Sequence, residues 1–284
     1  MTSIINQNWN DYTAEQHGIW DMLYTKLADL LPDRAAPDFM AGLDALDLHK
    51  GGIPNLDALS DCLEPLTGWR IVGVPGLISD PEFFELLANR RFPASTFIRR
   101  PDQINYIQEP DIFHDIFGHV PMLSNPVFAD YMQAYGEGGI KSLKFHALRN
   151  LAALYWYTVE FGLIKTPDGL RIYGAGIVSS PAETVFSLES RSPNRIKFSL
   201  KRVMQTDYKI DDFQQTYFVI DSYDELFKAT AERDFSPIYR TLANKFEYSP
   251  EQTLPKDQII HHGDQAHHRR AASICHGKSR QASP

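Results

Sequence analysis

The chain has 284 residues, of which 43% are hydrophobic and 23% charged, a composition typical of one globular domain with a single shared core. Its formal net charge of −8 argues against a nucleic-acid partner, because phosphate binding requires clustered positive charge. The start MTSIINQNWNDY lacks the pattern of a signal peptide, and no run of about 18 apolar residues occurs, so we expect a cytoplasmic protein without membrane spans. Cys62 and Cys275 are far apart in the sequence, so we expect no disulfide.

The N-terminal third has the pattern of helices joined by a short strand. Thr13 opens a capping-box signature, and apolar residues then recur at helical spacing until Pro32. Asn55 can cap a second helix that ends near Gly68, and Asp80–Pro81 begins a third. Between the second and third helices, RIVGVPGLI predicts a short strand and a turn.

The central and C-terminal parts predict one buried helix followed by short strands. The stretch from Lys144 to Ile164 is apolar on almost every side, which predicts a helix buried all round. RIYGAG and TYFVID are β-prone, and a helical run covers Tyr223 to Ala231. The predicted fold class is mainly α with a few short β-strands, in one domain over residues 1–248. Residues 249–284 are rich in polar residues and predict a flexible tail.

The strongest chemical signal is the segment EPDIFHDIFGHVPML, which contains His114 and His119 beside two aspartates. Imidazole nitrogens suit zinc, iron or copper. The two histidines are five positions apart, about 140° on an ideal helix, so the helix must end or distort between them. Gly118 and Pro121 supply a break that would let His119 turn back toward a metal. The alternative is a pair of hydrogen-bonded histidines at a helix end.

Glu160 is the second unusual residue, because it lies between Val159 and Phe161 in the apolar stretch. A carboxylate there would lose its hydration unless a cation compensated for it. An ion pair with Arg149 or Lys165, or a protonated carboxyl, is an alternative to a metal. Two imidazoles and one carboxylate on one face of a metal leave open positions, as in non-haem iron(II) sites that activate dioxygen, whereas zinc more often closes tetrahedrally or hydrolyses.

A series of blocks between about Tyr12 and Tyr239 resembles the catalytic domain of the pterin-dependent aromatic amino acid hydroxylases, most closely its compact bacterial members, which hydroxylate phenylalanine. The blocks are TGWRIVGVPGLI, FFELLANRRFP, FIRR, YIQEPDIFHDIFGHVPML, YWYTVEFGLI, YGAGIVSSPAE and FQQTYFVIDSYDEL. The resemblance implies the single-domain catalytic fold of that family. It also implies that L-phenylalanine, O2 and a tetrahydropterin (tetrahydrobiopterin or a related pterin) give L-tyrosine and a hydroxypterin.

The resemblance also implies roles for individual residues. His114, His119 and Glu160 correspond to the ligands of iron(II), and Asp111 to a group that orients a histidine. The implied pterin contacts are Gly76, Leu77, Ile78, Phe83, Asp115 and Tyr155. The implied substrate contacts are Arg99, Pro110, Trp156, Phe161, Gly176 and Ser179. Arg99 would grip the carboxylate of the amino acid with its planar guanidinium, with Ser179 as a hydroxyl partner. Asp115 stands where mammalian members carry glutamate, and Pro93 where some carry a histidine.

The resemblance further implies a monomer, because no heptad pattern for a tetramerisation helix follows the catalytic blocks. The implied partners are the substrates and a pterin-recycling dehydratase and reductase, with no nucleic acid and no membrane. The same chemistry on tryptophan, or at the 3-position of phenylalanine, is an alternative that Ile107 and Phe161 could direct. A zinc hydrolase and a metal-storing or amino-acid-sensing module are alternatives from other classes. The histidines of the tail are interpreted as solvated; they are His261, His262, His267, His268 and His276.

Overall fold

A computed structural model describes residues 3–104, 109–232, 234–242 and 245–270; Ile107, Cys275 and His276 lie outside them. The α-helices are α1 Ala14–Ala28, α2 Pro37–Ala45, α3 Leu56–Thr67, α4 Asp80–Ala88, α5 Val120–Leu123, α6 Pro126–Lys144, α7 Leu148–Tyr155, α8 Ala175–Val178, α9 Pro181–Glu189, α10 Leu200–Met204, α11 Tyr223–Thr230 and α12 Ser236–Leu242. Two π-helical turns cover His114–His119 and Trp156–Glu160. Short 3-10 turns cover Trp9–Asp11, Leu48–Lys50 and Pro101–Gln103.

The strands form two sheets that lie among these helices. They are β1 Arg70–Val74, β2 Arg91–Ser95, β3 Leu163–Thr166, β4 Gly169–Ile172, β5 Asn194–Lys197, β6 Thr216–Ile220 and β7 Ile259–His261. The first sheet pairs β1 with β2 in parallel. The second has the order β4-β3-β6-β5-β7, with parallel pairs β3–β6 and β6–β5 and antiparallel strands at both edges. This mainly helical architecture with few strands confirms the predicted fold class.

The predicted N-terminal elements are confirmed because their determinants are local. The Thr13 side chain accepts a hydrogen bond from Gln16 N at the start of α1, and Asn55 caps α3 in the same way. Gly68 ends α3 in the left-handed conformation with φ +76°, as a C-terminal glycine should. The Trp20 ring in α1 then packs edge-on against Phe113 at 5.0 Å, directly before the first π-helical turn. The hydrophobic core therefore reaches the predicted metal ligands.

The long helix predicted from Lys144 to Ile164 is wrong in its extent. Helix α6 ends at Lys144, His146 adopts a left-handed conformation with φ +52°, and α7 begins only at Leu148. The helix then widens into the second π-helical turn and ends at Glu160. Leu163 then starts strand β3, which lies between β4 and β6. Apolar character alone does not distinguish a buried helix from a buried central strand.

The flexible tail predicted from residue 249 is wrong for residues 249–270, which pack on the second sheet. Strand β7 pairs with β5, and the Gly263 N–H donates to Asn194 Oδ1 at 2.9 Å. A buried ion pair joins Arg202 Nε to Asp257 Oδ1 at 3.2 Å. This segment has few apolar residues to bury, and backbone pairing and a buried ion pair hold it on the sheet instead. Residues 271–284 lie outside the described chain.

Within the described parts of the chain, no helix combines the length and the apolar character that crossing a membrane requires.

Candidate metal centre

The first π-helical turn explains how two histidines five positions apart face the same point. The chain stays helical between Ile112 and Leu123, and the turn over His114–His119 is widened. A π-helix closes hydrogen bonds between residues five apart, so residues i and i+5 come onto one face. The prediction that the helix must end or distort is confirmed as a distortion. Pro121 does not break the helix, which continues through it to Leu123.

Gly118 has a packing role at this turn. A Cβ atom at this position would lie 3.0 Å from the carbonyl oxygen of Ala175. The turn can therefore pack closely on α8, which is followed directly by Ser179. The close approach brings α8 and Ser179, about 60 residues later in the sequence, next to the histidines.

Glu160 lies at the end of the second π-helical turn and its carboxylate faces both histidines. The distance from His119 Nε2 to Glu160 Oε1 is 3.2 Å, and from His114 Nε2 to Glu160 Oε2 it is 3.5 Å. The two Nε2 atoms are 3.2 Å apart. Ligand atoms that each lie about 2 Å from one ion are separated by roughly 3 to 3.5 Å. These three side chains, called the His-His-Glu triad below, thus have the spacing of a metal site.

Asp115 offers a second carboxylate near the triad. One of its oxygens lies within 4.8 Å of a ring nitrogen of each histidine. Its Oδ2 atom already accepts a hydrogen bond from Ser95 N at 2.8 Å. Glu160 is closer to both imidazoles and directs one oxygen at each of them. Glu160 is therefore the better third ligand, and Asp115 lies at the edge of the site.

A serine sets the tautomer of His114. The Ser179 hydroxyl lies 2.7 Å from the carbonyl oxygen of Ala175, which can only accept, so the hydroxyl proton is used there. Ser179 Oγ is also 2.9 Å from His114 Nδ1, and must accept a proton from that nitrogen. Nδ1 then carries the hydrogen, and Nε2 directs a lone pair into the triad. A metal-binding histidine is commonly held by such a contact on its second ring nitrogen.

The charge states of His114 and Glu160 suit a divalent cation. Burial lowers the pKa of His114, although the Glu160 carboxylate opposes that effect, so the ring is neutral. Burial opposes ionisation of Glu160, but the imidazoles of His119 and His114 outweigh it and lower the pKa of the carboxyl. Arg149, an alternative partner for Glu160, instead has its Nη2 atom 3.6 Å from Asp207. Neutral imidazoles and an ionised carboxylate are the forms that ligate a metal.

Asp111 holds the start of the helix that carries His114 and also holds Arg99. Its Oδ1 accepts from His114 N at 3.1 Å, the position of an N-cap. Its carboxylate also pairs with Arg99 through two bonds of 2.8 Å, and Arg99 N donates to it at 2.9 Å. Burial opposes this charge, but the Arg99 guanidinium lowers the pKa of the carboxyl. Asp111 therefore contacts the backbone of His114, while Ser179 contacts its ring.

Aromatic rings extend from the triad toward the residues expected at the pterin site. The Tyr155 ring lies 6.2 Å from the His119 ring and meets the Phe83 ring edge-on at 5.8 Å. Phe83 and Tyr155 are both only partly buried although they pack against the core. A partly exposed aromatic pair beside a metal site can receive a flat ring system.

The loop after β1 supplies the other residues expected at the pterin site. Gly76 has φ +156°, and a Cβ atom there would lie 2.6 Å from Glu109 Oε1. The Leu77 side chain is 78% exposed, an unusual state for a leucine, and Ile78 is partly buried. The glycine thus permits a close approach of Glu109, a residue that the sequence analysis did not single out.

The residues expected around the substrate ring form an aromatic wall. The rings of Trp156 and Phe161 lie 4.7 Å apart, and a Cβ atom on Gly176 would lie 2.8 Å from the Phe161 ring. Gly176 is therefore required for the position of Phe161. Pro110 is partly buried, and its carbonyl accepts from Ser95 Oγ at 3.0 Å.

Two residues that the sequence analysis did not assign hold Trp156 in place. Gln214 accepts a hydrogen bond from Trp156 Nε1 at 2.9 Å and is itself 2% exposed. The Tyr208 ring stacks on Trp156 at 4.8 Å with an interplanar angle of 21°. The available signal in the sequence is a glutamine two residues before an apolar strand, but the partner of Gln214 lies 58 residues away.

The comparisons with known proteins agree with this geometry. A family model for the biopterin-dependent aromatic amino acid hydroxylases matches residues 7–263. A phenylalanine-4-hydroxylase of Caulobacter vibrioides is 57% identical over 263 residues, which cover 93% of this chain and 89% of that protein.

Solved structures extend the likeness to the fold. The iron- and phenylalanine-bound crystal structure of phenylalanine hydroxylase from Chromobacterium violaceum has a TM-score of 0.87 and 51% identity, over 91% of this chain and 94% of that one. A structure of the same enzyme with iron(III) and oxidised cofactor 7,8-dihydrobiopterin has a TM-score of 0.87 and 52% identity, over 91% and 93%.

Proposed function

Because the chain belongs to the biopterin-dependent aromatic amino acid hydroxylase family, we propose that it is an iron- and tetrahydropterin-dependent phenylalanine 4-monooxygenase. It converts L-phenylalanine and O2 to L-tyrosine while a tetrahydropterin is oxidised. The observation that carries this proposal is the His-His-Glu triad, whose ligand atoms lie 3.2 to 3.5 Å apart. The named activity of relatives at 54 to 57% identity supports the choice of phenylalanine.

The triad is suited to iron(II), because three ligands on one side leave positions open for other groups. When bound, the iron and the tetrahydropterin supply the oxygen activation and the two electrons that the side chains lack. Ser179 keeps the His114 Nε2 lone pair directed at the ion. Glu160 brings one negative charge that partly neutralises the ion in a buried place.

We propose that the remaining residues orient the substrate. The planar guanidinium of Arg99 binds the amino acid carboxylate, and the ion pair with Asp111 holds it rigid before substrate arrives. Trp156 and Phe161 contact the aromatic ring and keep water away from it. Phe83 and Tyr155 receive the pterin ring. In this proposal the reacting ring and the cofactor bind on neighbouring sides of the triad.

We further propose that the protein works as a monomer in the cytoplasm. The sequence contains no heptad pattern, which supports a monomer, and light scattering after gel filtration measures the mass. Ferrous iron and reduced pterins oxidise readily, which favours a reducing compartment. Continuous turnover needs a dehydratase and a reductase that return the pterin to its reduced form.

The proposed activity is tested by measuring tyrosine formed per tetrahydropterin oxidised, with iron added and then chelated. We expect about one tyrosine per pterin with iron and none after chelation. Glu160→Gln should lose iron or oxidise pterin without forming tyrosine, whereas Glu64→Gln, an exposed partner of Arg70, should behave as wild type. Coupled turnover in Glu160→Gln, or activity with zinc and no pterin, would refute the proposal. The product must co-elute with 4-hydroxyphenylalanine, which separates it from the 3-isomer and from a tryptophan product.

Neighbouring arginines provide a matched test of the carboxylate contact. Arg99→Lys keeps the charge but loses the paired N–H groups, so the KM for phenylalanine should rise. Arg100→Lys changes the next residue, which is exposed and paired with Asp102, and should leave KM unchanged. The KM for the pterin serves as an internal reference in both variants. An unchanged phenylalanine KM in Arg99→Lys would remove Arg99 from the substrate site.

A further inference from the structure

We propose that residues 205–215, called the wall loop below, make the substrate site accept the phenyl ring of phenylalanine and reject the larger indole of tryptophan. The wall loop connects α10 to β6. Two of its side chains, Tyr208 and Gln214, contact Trp156, and neither is among the residues expected to touch the substrate. The inference rests on the proposed function, in which Trp156 contacts the substrate ring, and it identifies what keeps Trp156 from moving.

Three neighbours fix the indole of Trp156. The Tyr208 ring stacks on it at 4.8 Å with an interplanar angle of 21°, and the Phe161 ring lies against it at 4.7 Å. The indole Nε1–H donates to Gln214 Oε1 at 2.9 Å. An indole that moves aside must give up both the stacking and this hydrogen bond. Trp156 is nevertheless only partly buried, so part of its surface is free to contact a ligand.

Gln214 is itself held in one orientation. Its Nε2 atom donates to the carbonyl oxygen of Lys209 at 3.0 Å, and a carbonyl oxygen can only accept. This contact assigns the amide so that Oε1 faces the indole of Trp156. The backbone N–H of Gln214 donates to Glu183 Oε1 at 3.3 Å, and the side chain is 2% exposed. A buried amide with these partners resists displacement, because each lost hydrogen bond leaves a polar group unpaired.

Tyr208 is also supported from behind. Its ring meets the rings of Tyr157 and Phe246 edge-on, at 6.4 and 6.1 Å. The Tyr157 hydroxyl donates to the carbonyl oxygen of Asp207, directly before Tyr208, at 2.7 Å. These contacts of Tyr208 are made by its ring and not by its hydroxyl. The stacking partner of Trp156 is therefore fixed by a second layer of aromatic rings.

The size limit follows from this support. A site that fits a phenyl ring admits an indole only if a wall residue retreats, and close-packed side chains do not retreat without opening voids elsewhere. A difference of one carbon-sized group in an apolar pocket already discriminates substrates by about 10- to 200-fold. Trp156 forms the wall, and the wall loop gives that wall its rigidity.

The test compares phenylalanine and tryptophan as substrates of the full-length, iron-loaded protein with tetrahydropterin. Tyr208→Ala opens space beside Trp156, so kcat/KM for tryptophan relative to phenylalanine should rise about 10-fold. Tyr208→Phe keeps the stacked ring and should keep the wild-type ratio. Ile210→Ala changes a residue of the same loop that is 68% exposed, and should also keep it. Calorimetry measures the affinities for the two amino acids independently of turnover.

Gln214→Met tests whether the loop acts through Trp156. This variant removes the acceptor of the indole N–H at similar side-chain length, so the KM for phenylalanine should rise about fivefold while the KM for the pterin stays the same. In a Trp156→Phe background the indole N–H is absent, and Gln214→Met should then have no further effect. A merely structural role of Gln214 would give the same loss in both backgrounds.

The proposal is overturned if Tyr208→Ala and Gln214→Met leave the substrate ratio and the phenylalanine KM at wild-type values. It is also overturned if Ile210→Ala changes the ratio as much as Tyr208→Ala, or if Gln214→Met has its full effect without the Trp156 indole. If Tyr208→Ala does not fold, Tyr208→Leu and Gln214→Met provide the same measurements. Failure of the proposed function is a different result, because the wild type would then form no tyrosine while the calorimetric affinities still report on the wall loop.

Discussion

Glu183 provides a prediction of how stability depends on pH. Its side chain is 5% exposed and accepts hydrogen bonds from the Tyr217 hydroxyl and from Gln214 N. Burial raises the pKa of Glu183 from 4.5 to about 7, although these hydrogen bonds oppose the effect. The carboxyl therefore stays protonated in the folded protein at pH values where the unfolded chain has lost the proton.

The sign and size of the effect follow from this difference. Between pH 4.5 and about 7 the folded state binds one more proton than the unfolded state, so stability falls as pH rises. The contribution is complete below the unfolded pKa and lost above the folded one. A pKa moved from 4.5 to about 7 corresponds to roughly 3 kcal/mol of unfolding free energy.

Glu183→Gln removes this titration while its amide oxygen accepts the same two hydrogen bonds. The unfolding free energy of the wild type should fall by about 3 kcal/mol more than that of the variant from pH 5 to pH 8. Urea unfolding followed by tryptophan fluorescence measures both curves, and their difference cancels the titration of shared groups. Glu189→Gln lies on the same helix but is exposed, and should parallel the wild type. Parallel curves for Glu183→Gln and wild type would refute the reasoning.

Two further predictions concern the tautomer of His114 and the packing of α6. Ser179→Ala should weaken iron binding about 10- to 100-fold in competition with a chelator. Ser142→Ala should not, because this buried serine in α6 donates its hydroxyl to the carbonyl of Gly139; equal iron affinities of Ser179→Ala and wild type would contradict the tautomer assignment. Gly136→Ala should lower the unfolding free energy by about 1 to 3 kcal/mol, because its Cβ would lie 2.4 Å from a backbone nitrogen of α4. Gly138→Ala, with its nearest atom at 3.6 Å, should gain up to about 1 kcal/mol.

Elements whose signals are local could be predicted from the sequence. Thr13, Asn55 and Gly68 form caps with neighbours only a few residues away, so their interactions survive in any tertiary context. The triad residues were also identified, since two close histidines and one carboxylate among apolar residues are unusual types in unusual places. The spacing of the histidines did not predict the π-helical turn, because two residues five positions apart do not lie on one face of an ordinary α-helix.

The C-terminal segment shows the opposite case. Its polar composition predicts a flexible chain, yet residues 259–261 add a strand to the sheet and Asp257 pairs with a buried arginine. Hydrogen bonds to a sheet edge depend on the backbone, which composition does not describe. His267 and His268 meet Asp212 only because that segment returns to the loop before β6.

By itself, the amino-acid sequence determined the caps, the mainly helical class and the three residue types of the metal site, because each depends on chemistry that is local or unusual. Only the tertiary structure decided that Glu160 faces His114 and His119, that Ser179 sets the proton on His114 and that Gln214 holds Trp156. Those contacts join residues 41 or more positions apart, and packing between elements, which no local pattern encodes, brings them within hydrogen-bonding distance.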